Sequence, residues 1–125
     1  MTAQTQEAMS TSHILTLIAP DEPGIAHAVS AGLLDVDGNI TENAQFGDPG
    51  SQLFCLRTVV ETPTDDSATV ADAVRQRLLD AGHASPVKLR VRKASDRPRV
   101  LIMVSKFDHC LVDLLYRWRN GLLQV

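Results

Sequence analysis

Between Val87 and Arg92 apolar and basic residues alternate without interruption, with Val87, Leu89 and Val91 on one parity and Lys88, Arg90 and Arg92 on the other. Successive side chains of a β-strand point to opposite faces, so this segment reads as a half-buried strand. Its apolar side must meet helices, and its basic side is wet or covers a partner.

The rest of the chain supplies what such a strand needs. His13 to Ile18 is a short β-type run, ended by Pro20-Asp21-Glu22-Pro23-Gly24, because two prolines and a glycine neither extend a strand nor open a helix before Pro23. Ile25, Val29, Leu33 and Val36 then form one helical stripe, and Gly38, after Asp37, is expected to stop it. Ile40, Ala44 and Phe46 share a parity that Glu42 interrupts, which makes a weak strand. Leu53 to Val60 makes a strong one, joined to the first as a hairpin by the turn Gly47 to Ser51. Val70, Val74, Leu78 and Ala81 line a second helix that Gly82 ends. The order βαββαβ predicts a ferredoxin-like α+β domain over residues 13–93, an antiparallel four-stranded sheet with both helices on one face and right-handed crossovers.

Residues 94–98 read as a linker, and then the pattern restarts. Val100 to Val104 is a continuous apolar run of the kind found in a strand covered on both faces. Ser105 to Asp108 is a turn, and Leu111, Leu114, Leu115 and Trp118 form a helical stripe ending at Gly121. One strand and one helix are half an α/β unit, so residues 99–125 are expected to open a truncated Rossmann-like domain whose apolar stripe associates with something.

Bulk properties exclude several classes. Val100 to Val104 is the longest purely apolar run, far short of the roughly 20 residues of a membrane-spanning helix. Residues 1–12 carry no base and no apolar core, so they match neither a secretory signal nor a transit peptide and are expected to form a disordered leader. Cys55 and Cys110 stand in apolar surroundings without C-x-x-C spacing. A reducing, cytoplasmic compartment with free thiols is expected, Cys110 serving core packing. The net charge of -3 is small but uneven. Seven acids between residues 35 and 66 face Arg57 alone, whereas six bases between 88 and 99 face Asp96 alone. The basic stretch suits a solvated strand edge, an anionic ligand or a neighbouring domain. A nucleic-acid module is a weaker alternative, given one Tyr, one Trp and overall acidity.

Two places could carry chemistry. In the loop Asp21-Glu22-Pro23-Gly24, Gly24 allows a close approach, and the free N–H groups of the following helical turn suit a carboxylate. Asn39 is expected beside this loop, with an amide that both donates and accepts. The plain alternative is that Pro23 starts a helix and Gly24 relieves crowding. Ser105, Lys106, Asp108, His109 and Cys110 sit where a strand would feed a helix, the usual functional edge of an α/β sheet. Lys106 and His109 could meet an anion, while Asp108 could simply cap the helix. Neither a metal nor a cofactor is expected, because the four histidines are scattered and H-E-x-x-H, C-x-x-C and the glycine-rich phosphate loops are absent.

Ile14-Leu15-Thr16-Leu17, Pro20 to Ile25, Gly38-Asn39-Ile40-Thr41-Glu42 and Gln45-Phe46-Gly47-Asp48 resemble the amino-terminal ACT domain of formyltetrahydrofolate deformylase. Arg97 to Leu111, with its segment Ser105-Lys106-Phe107-Asp108-His109-Cys110, and Asp113 to Arg119 are similar to the start of that family's formyltransferase-like catalytic domain. The resemblance implies an enzyme that hydrolyses 10-formyltetrahydrofolate to formate and tetrahydrofolate, in support of purine synthesis. It also implies an ACT domain regulated by glycine or methionine. On that likeness Asp21, Pro23, Gly24, Asn39 and Ile40 outline an effector site at or near an interface between chains of a homo-oligomer. Ser105, Lys106, Asp108 and His109 would shape a pocket in the complete enzyme. The family's catalytic Asn, His and Asp would lie beyond Val125, so none is assigned here. The family's usual Gly-Glu-Leu-Pro-Val is replaced after Gly121 by Leu122-Leu123-Gln124-Val125. An autonomous amino-acid-sensing or dimerisation module is the alternative reading.

Overall fold

The computed structural model describes residues 9–83 and 88–125, which form two compact units, one up to Ala94 and one from Ser95. In the first unit, β1 (Thr11–Pro20), α1 (Ile25–Leu34), β2 (Asn39–Asp48), β3 (Leu53–Thr62), α2 (Ser67–Asp80) and β4 (Lys88–Lys93) follow one another. The four strands form one antiparallel sheet in the order β2-β3-β1-β4.

Alternation decides which face of the sheet is covered. His13, Leu15, Leu17 and Ala19 of β1 are buried, and they stand opposite Val60, Thr58, Leu56 and Phe54 of β3. Leu89 and Val91 of β4 face the same way, as their alternation requires, while Lys88, Arg90 and Arg92 are exposed. The helical stripes complete this layer: Ile25, Ala28, Val29 and Leu33 from α1 join Val70, Val74 and Leu78 from α2 in a single core. Each Ile, Val or Leu side chain of this layer, moved fully out of water, contributes about 1.5–3 kcal/mol, which makes the layer the main source of stability.

One polar side chain belongs to that layer. His13 is wholly buried, its Nε2 3.0 Å from the carbonyl oxygen of Thr64 and its Nδ1 3.0 Å from the hydroxyl of Ser67. A carbonyl can only accept, so Nε2 donates, and the ring ties β1 to the first turn of α2. Among the described residues no buried side-chain polar atom lacks a partner.

Several local expectations are corrected. Thr11 and Ser12 belong to β1, so ordered structure begins before residue 13; residues 1–8 of the expected leader, and Val87, lie outside the described residues. Gly38 is not the left-handed residue that ends α1. Asp37 takes that conformation at φ 55, and Gly38 is needed for space, since a Cβ there would stand 2.6 Å from the Leu33 carbonyl oxygen. The shared parity of Ile40 with Ala44 and Phe46 is broken by a bulge between Ile40 and Glu42. Ile40 therefore pairs with buried Val60, whereas Phe46 pairs with Cys55 on the outer face.

Two carboxylates fasten the ends of the helices. Asp35, at the C-cap of α1, accepts from Nε and Nη2 of Arg77 at 2.6 and 2.7 Å, and this pairing holds its pKa below the ordinary 3.8. Asp66, the N-cap of α2, is lowered from the same value by the Thr69 hydroxyl and the Ala68 N–H. A carboxylate depressed on folding contributes stability that is complete above its unfolded pKa and is lost as the pH falls through the folded one. Urea midpoints are therefore expected to fall from pH 4 downwards, and the double variant Asp35→Asn/Asp66→Asn to lose part of that acid limb. An unchanged slope in the variant would contradict the assignment.

In the second unit, α3 (His109–Arg119) forms where the apolar stripe places it, with Gly121 at φ 71 beyond its end. The strand expected at Val100 to Val104 does not form. A strand needs a hydrogen-bonded neighbour, and no other strand is present among the described residues from 95 to 125. No residue of α3 is buried, and Cys110 is exposed, so its expected core-packing role does not hold in this structure.

Candidate functional site

The loop between β1 and α1 is shaped by three local devices. The Asp21 N–H donates to the Gln52 carbonyl at 2.9 Å, which pins the start of the loop to the β2–β3 turn. Gly24 stands at φ 93, a conformation that disfavours any side chain, and serves as the N-cap of α1 without a side-chain cap. The first turn of α1 contains no acid, so its N–H groups present a partial positive charge toward the loop.

Across this loop lies an open groove of about 410 Å³ lined by Pro20, Asp21, Glu22, Asp48, Pro49 and Gln52. Three of those six are carboxylates. Asp48 is held below its ordinary pKa by the Ser51 hydroxyl and by the N–H groups of Ser51 and Gly50. The Asp21 carboxylate lies over Gly47, where a Cβ would come within 3.4 Å of Oδ2. An acidic groove beside an uncapped helix start offers a place for an ammonium group and, a short distance away, for a carboxylate.

Of the loop residues singled out in the sequence, Asp21 lines this groove whereas Pro23 and Gly24 do not, and Asn39 and Ile40 are not brought to the loop within one chain. Asn39 pairs with Glu61, which pairs with Ser12 at the start of β1, while Asp48 pairs with Leu53, which pairs with Pro20 at its end. The nine steps from Asn39 to Asp48 span about 30 Å of strand. The expectation that Asn39 lies beside the loop of its own chain is thus corrected by the direction of β2.

His83 was missed by sequence reasoning. Its Nδ1 lies 2.9 Å from Glu22 Oε2, and its ring is only 11% exposed. The two residues stand 61 positions apart, so no local pattern announces the contact.

In the second unit, Ser105, Lys106, Asp108 and His109 are all exposed. Asp108 occupies the N-cap position of α3 without a side-chain cap hydrogen bond. An apolar groove of about 540 Å³ in this unit is lined by residues such as Val100, Ile102, Leu114, Leu115 and Trp118, and by none of those four. Among the described residues, no three His, Cys, Asp or Glu side chains gather as a metal ion would require. Among the described residues no helix is long and apolar enough to cross a membrane.

The element order and sheet define a ferredoxin-like α+β domain. An ACT domain protein from Streptococcus pneumoniae, 19% identical, matches 70% of the chain and 93% of its own length at a TM-score of 0.56, which shows the shared fold. The chain is also similar to formyltetrahydrofolate deformylases. It is 35% identical to the Corynebacterium sp. (strain P-1) formyltetrahydrofolate deformylase over 113 residues, 90% of this chain and 39% of that protein. The crystal structure of a formyltetrahydrofolate deformylase from Pseudomonas putida KT2440 superposes on 91% of this chain and 40% of its own, with 35% identity and a TM-score of 0.72. This chain therefore spans about two fifths of the relatives it matches. No family model matches it.

Proposed function

We propose that residues 13–93 are the amino-acid-responsive regulatory domain of a formyltetrahydrofolate deformylase, and that residues 99–125 open its catalytic domain. In this reading the parent protein hydrolyses 10-formyltetrahydrofolate to formate and tetrahydrofolate, supporting purine synthesis in the cytoplasm. The observation that carries the regulatory half is the groove of three carboxylates beside the uncapped start of α1, which has opposite-sign places for the two ends of a small amino acid such as glycine or methionine.

Asn39 and Ile40 enter this site through a second copy of the chain. β2 is an edge strand, and the N–H and C=O groups along its outer side are a template for another strand. Antiparallel pairing of two β2 edges sets Asn39 of one copy near Asp48 of the other, and so beside the Asp21 loop. A homo-oligomer with effector sites between chains follows. Ser105, Lys106, Asp108 and His109 would then contribute to a pocket completed by residues beyond this chain, and the hydrolytic chemistry would reside there.

The test has two arms. Calorimetric titration with glycine and with methionine is expected to show binding of one of them, and no heat from either removes the effector reading. Incubated with 10-formyltetrahydrofolate, the 125-residue chain is expected to release no formate, because general acid–base catalysis needs positioned groups that this reading assigns elsewhere. Formate release above the uncatalysed rate would overturn that division.

A further inference from the structure

The turn that ends α2 delivers one side chain onto the effector loop. Gly82 takes φ 85, and the N–H of His83 donates back to the Leu78 carbonyl at 2.9 Å, so the backbone of His83 is fixed by the helix end itself. From there the ring reaches the loop between β1 and α1 and makes one hydrogen bond to it. A carboxylate only accepts, so Nδ1 donates to Glu22 Oε2. On the other side of the ring, Nε2 lies 3.6 Å from where a Cβ at Gly24 would stand. Glu22 is itself half-exposed and also lines the acidic groove.

We propose that His83 is a positioning residue for the amino-acid site, holding Glu22, and through it the loop leading into Gly24, so that the acidic groove and the start of α1 keep a fixed separation. The inference rests on the effector reading above and adds to it a residue from the opposite end of the domain's sequence. An exposed ion pair on a flexible arm would contribute little. Here the imidazole is largely enclosed, its main chain is locked, and its partner Glu22 lies two residues before Gly24, whose carbonyl accepts the first intrahelical bond of α1 from the Ala28 N–H at 3.0 Å. The ring thus sets loop geometry without needing to touch the ligand. Its reach is to a single loop, so the effect should be local.

Amide hydrogen exchange and glycine titration on the 125-residue chain, for the wild type, His83→Ala and His83→Asn, test this together. In His83→Ala the amides of Asp21 and Ala28 are expected to exchange roughly tenfold faster, while those of Leu15 and Leu17 keep their protection. Glycine affinity is expected to fall by roughly tenfold in the same variant. His83→Asn, whose side-chain amide can stand near the Nδ1 position and donate to Glu22, is expected to recover most of both. Unchanged exchange at Asp21 and Ala28 in His83→Ala overturns the proposal, whether or not glycine binds. Equal losses in the Ala and Asn variants overturn it as well, since they would reflect packing rather than the hydrogen bond. Should the wild type bind no amino acid while the exchange results come out as expected, the effector reading fails and the loop-holding role of His83 stands.

Discussion

Gly32→Ala is expected to lower the stability of the first unit by about 3 kcal/mol, at the upper end of what one inserted methyl usually costs in a packed interior. In a domain of this size that corresponds to a fall in melting temperature on the order of 15 °C. The reason is the crossing of α1 over α2. A Cβ at Gly32 would stand 2.5 Å from the Cα of Val74, 2.9 Å from its nitrogen and 3.0 Å from the Ala73 carbonyl oxygen. All three are main-chain atoms, so no side chain can rotate away, and the helices must separate. Separation would loosen Val29 and Leu33 against Val70 and Val74, the contacts that close the core. Gly82→Ala makes the informative comparison. That position has φ 85 and nothing within 4 Å of a Cβ, so its cost is only the left-handed backbone, about 1 kcal/mol. Chemical unfolding of both variants separates the two causes, and a loss at Gly32 no larger than at Gly82 would mean that the helices do not approach this closely.

The fold was legible wherever one short-range pattern carried the information. The spacing of Val70, Val74, Leu78 and Ala81 predicts a buried stripe, and the first three are buried, whereas Ala81, the C-cap beyond Asp80, is exposed; the alternation from Lys88 to Arg92 predicts which side chains face water. β2 was weak in sequence for a physical reason, since the bulge after Ile40 shifts its parity halfway along and most of the strand is exposed. Gly32 carries no local signal, because the surface it must fit belongs to α2, some forty positions later. Val100 to Val104 shows the opposite failure. Its composition is that of a strand buried on both faces, but composition cannot supply the neighbouring strand that its main chain would bond.

The site was half legible. Asp21, Pro23 and Gly24 stand out by type and spacing, and the backbone at Gly24 has the conformation its identity suggests. Placing Asn39 required the direction of β2, which the residues around it do not encode. His83 depends on where the end of α2 comes to rest, a tertiary fact.

Gly24→Val is expected to abolish amino-acid binding while leaving the fold intact. Valine is β-branched and would have to hold φ 93, and its side chain would enter the space beside His83 Nε2. Relaxing that strain moves the start of α1, and with it the N–H groups assigned to the ligand carboxylate. The stability loss should be modest, since Gly24 lies at the surface and only one residue leaves its preferred conformation.

An amide-detected NMR titration of the 125-residue chain with glycine, run beside Gly24→Val, tests the regulatory reading most directly. The wild type is expected to show saturable shifts confined to Asp21 through His27, to Asp48 through Gln52 across the groove, and to Asn39 and Ile40, the last two only where the chain self-associates, and the variant to show none. Shifts centred elsewhere, or equal shifts in both proteins, would contradict an amino-acid site at the start of α1.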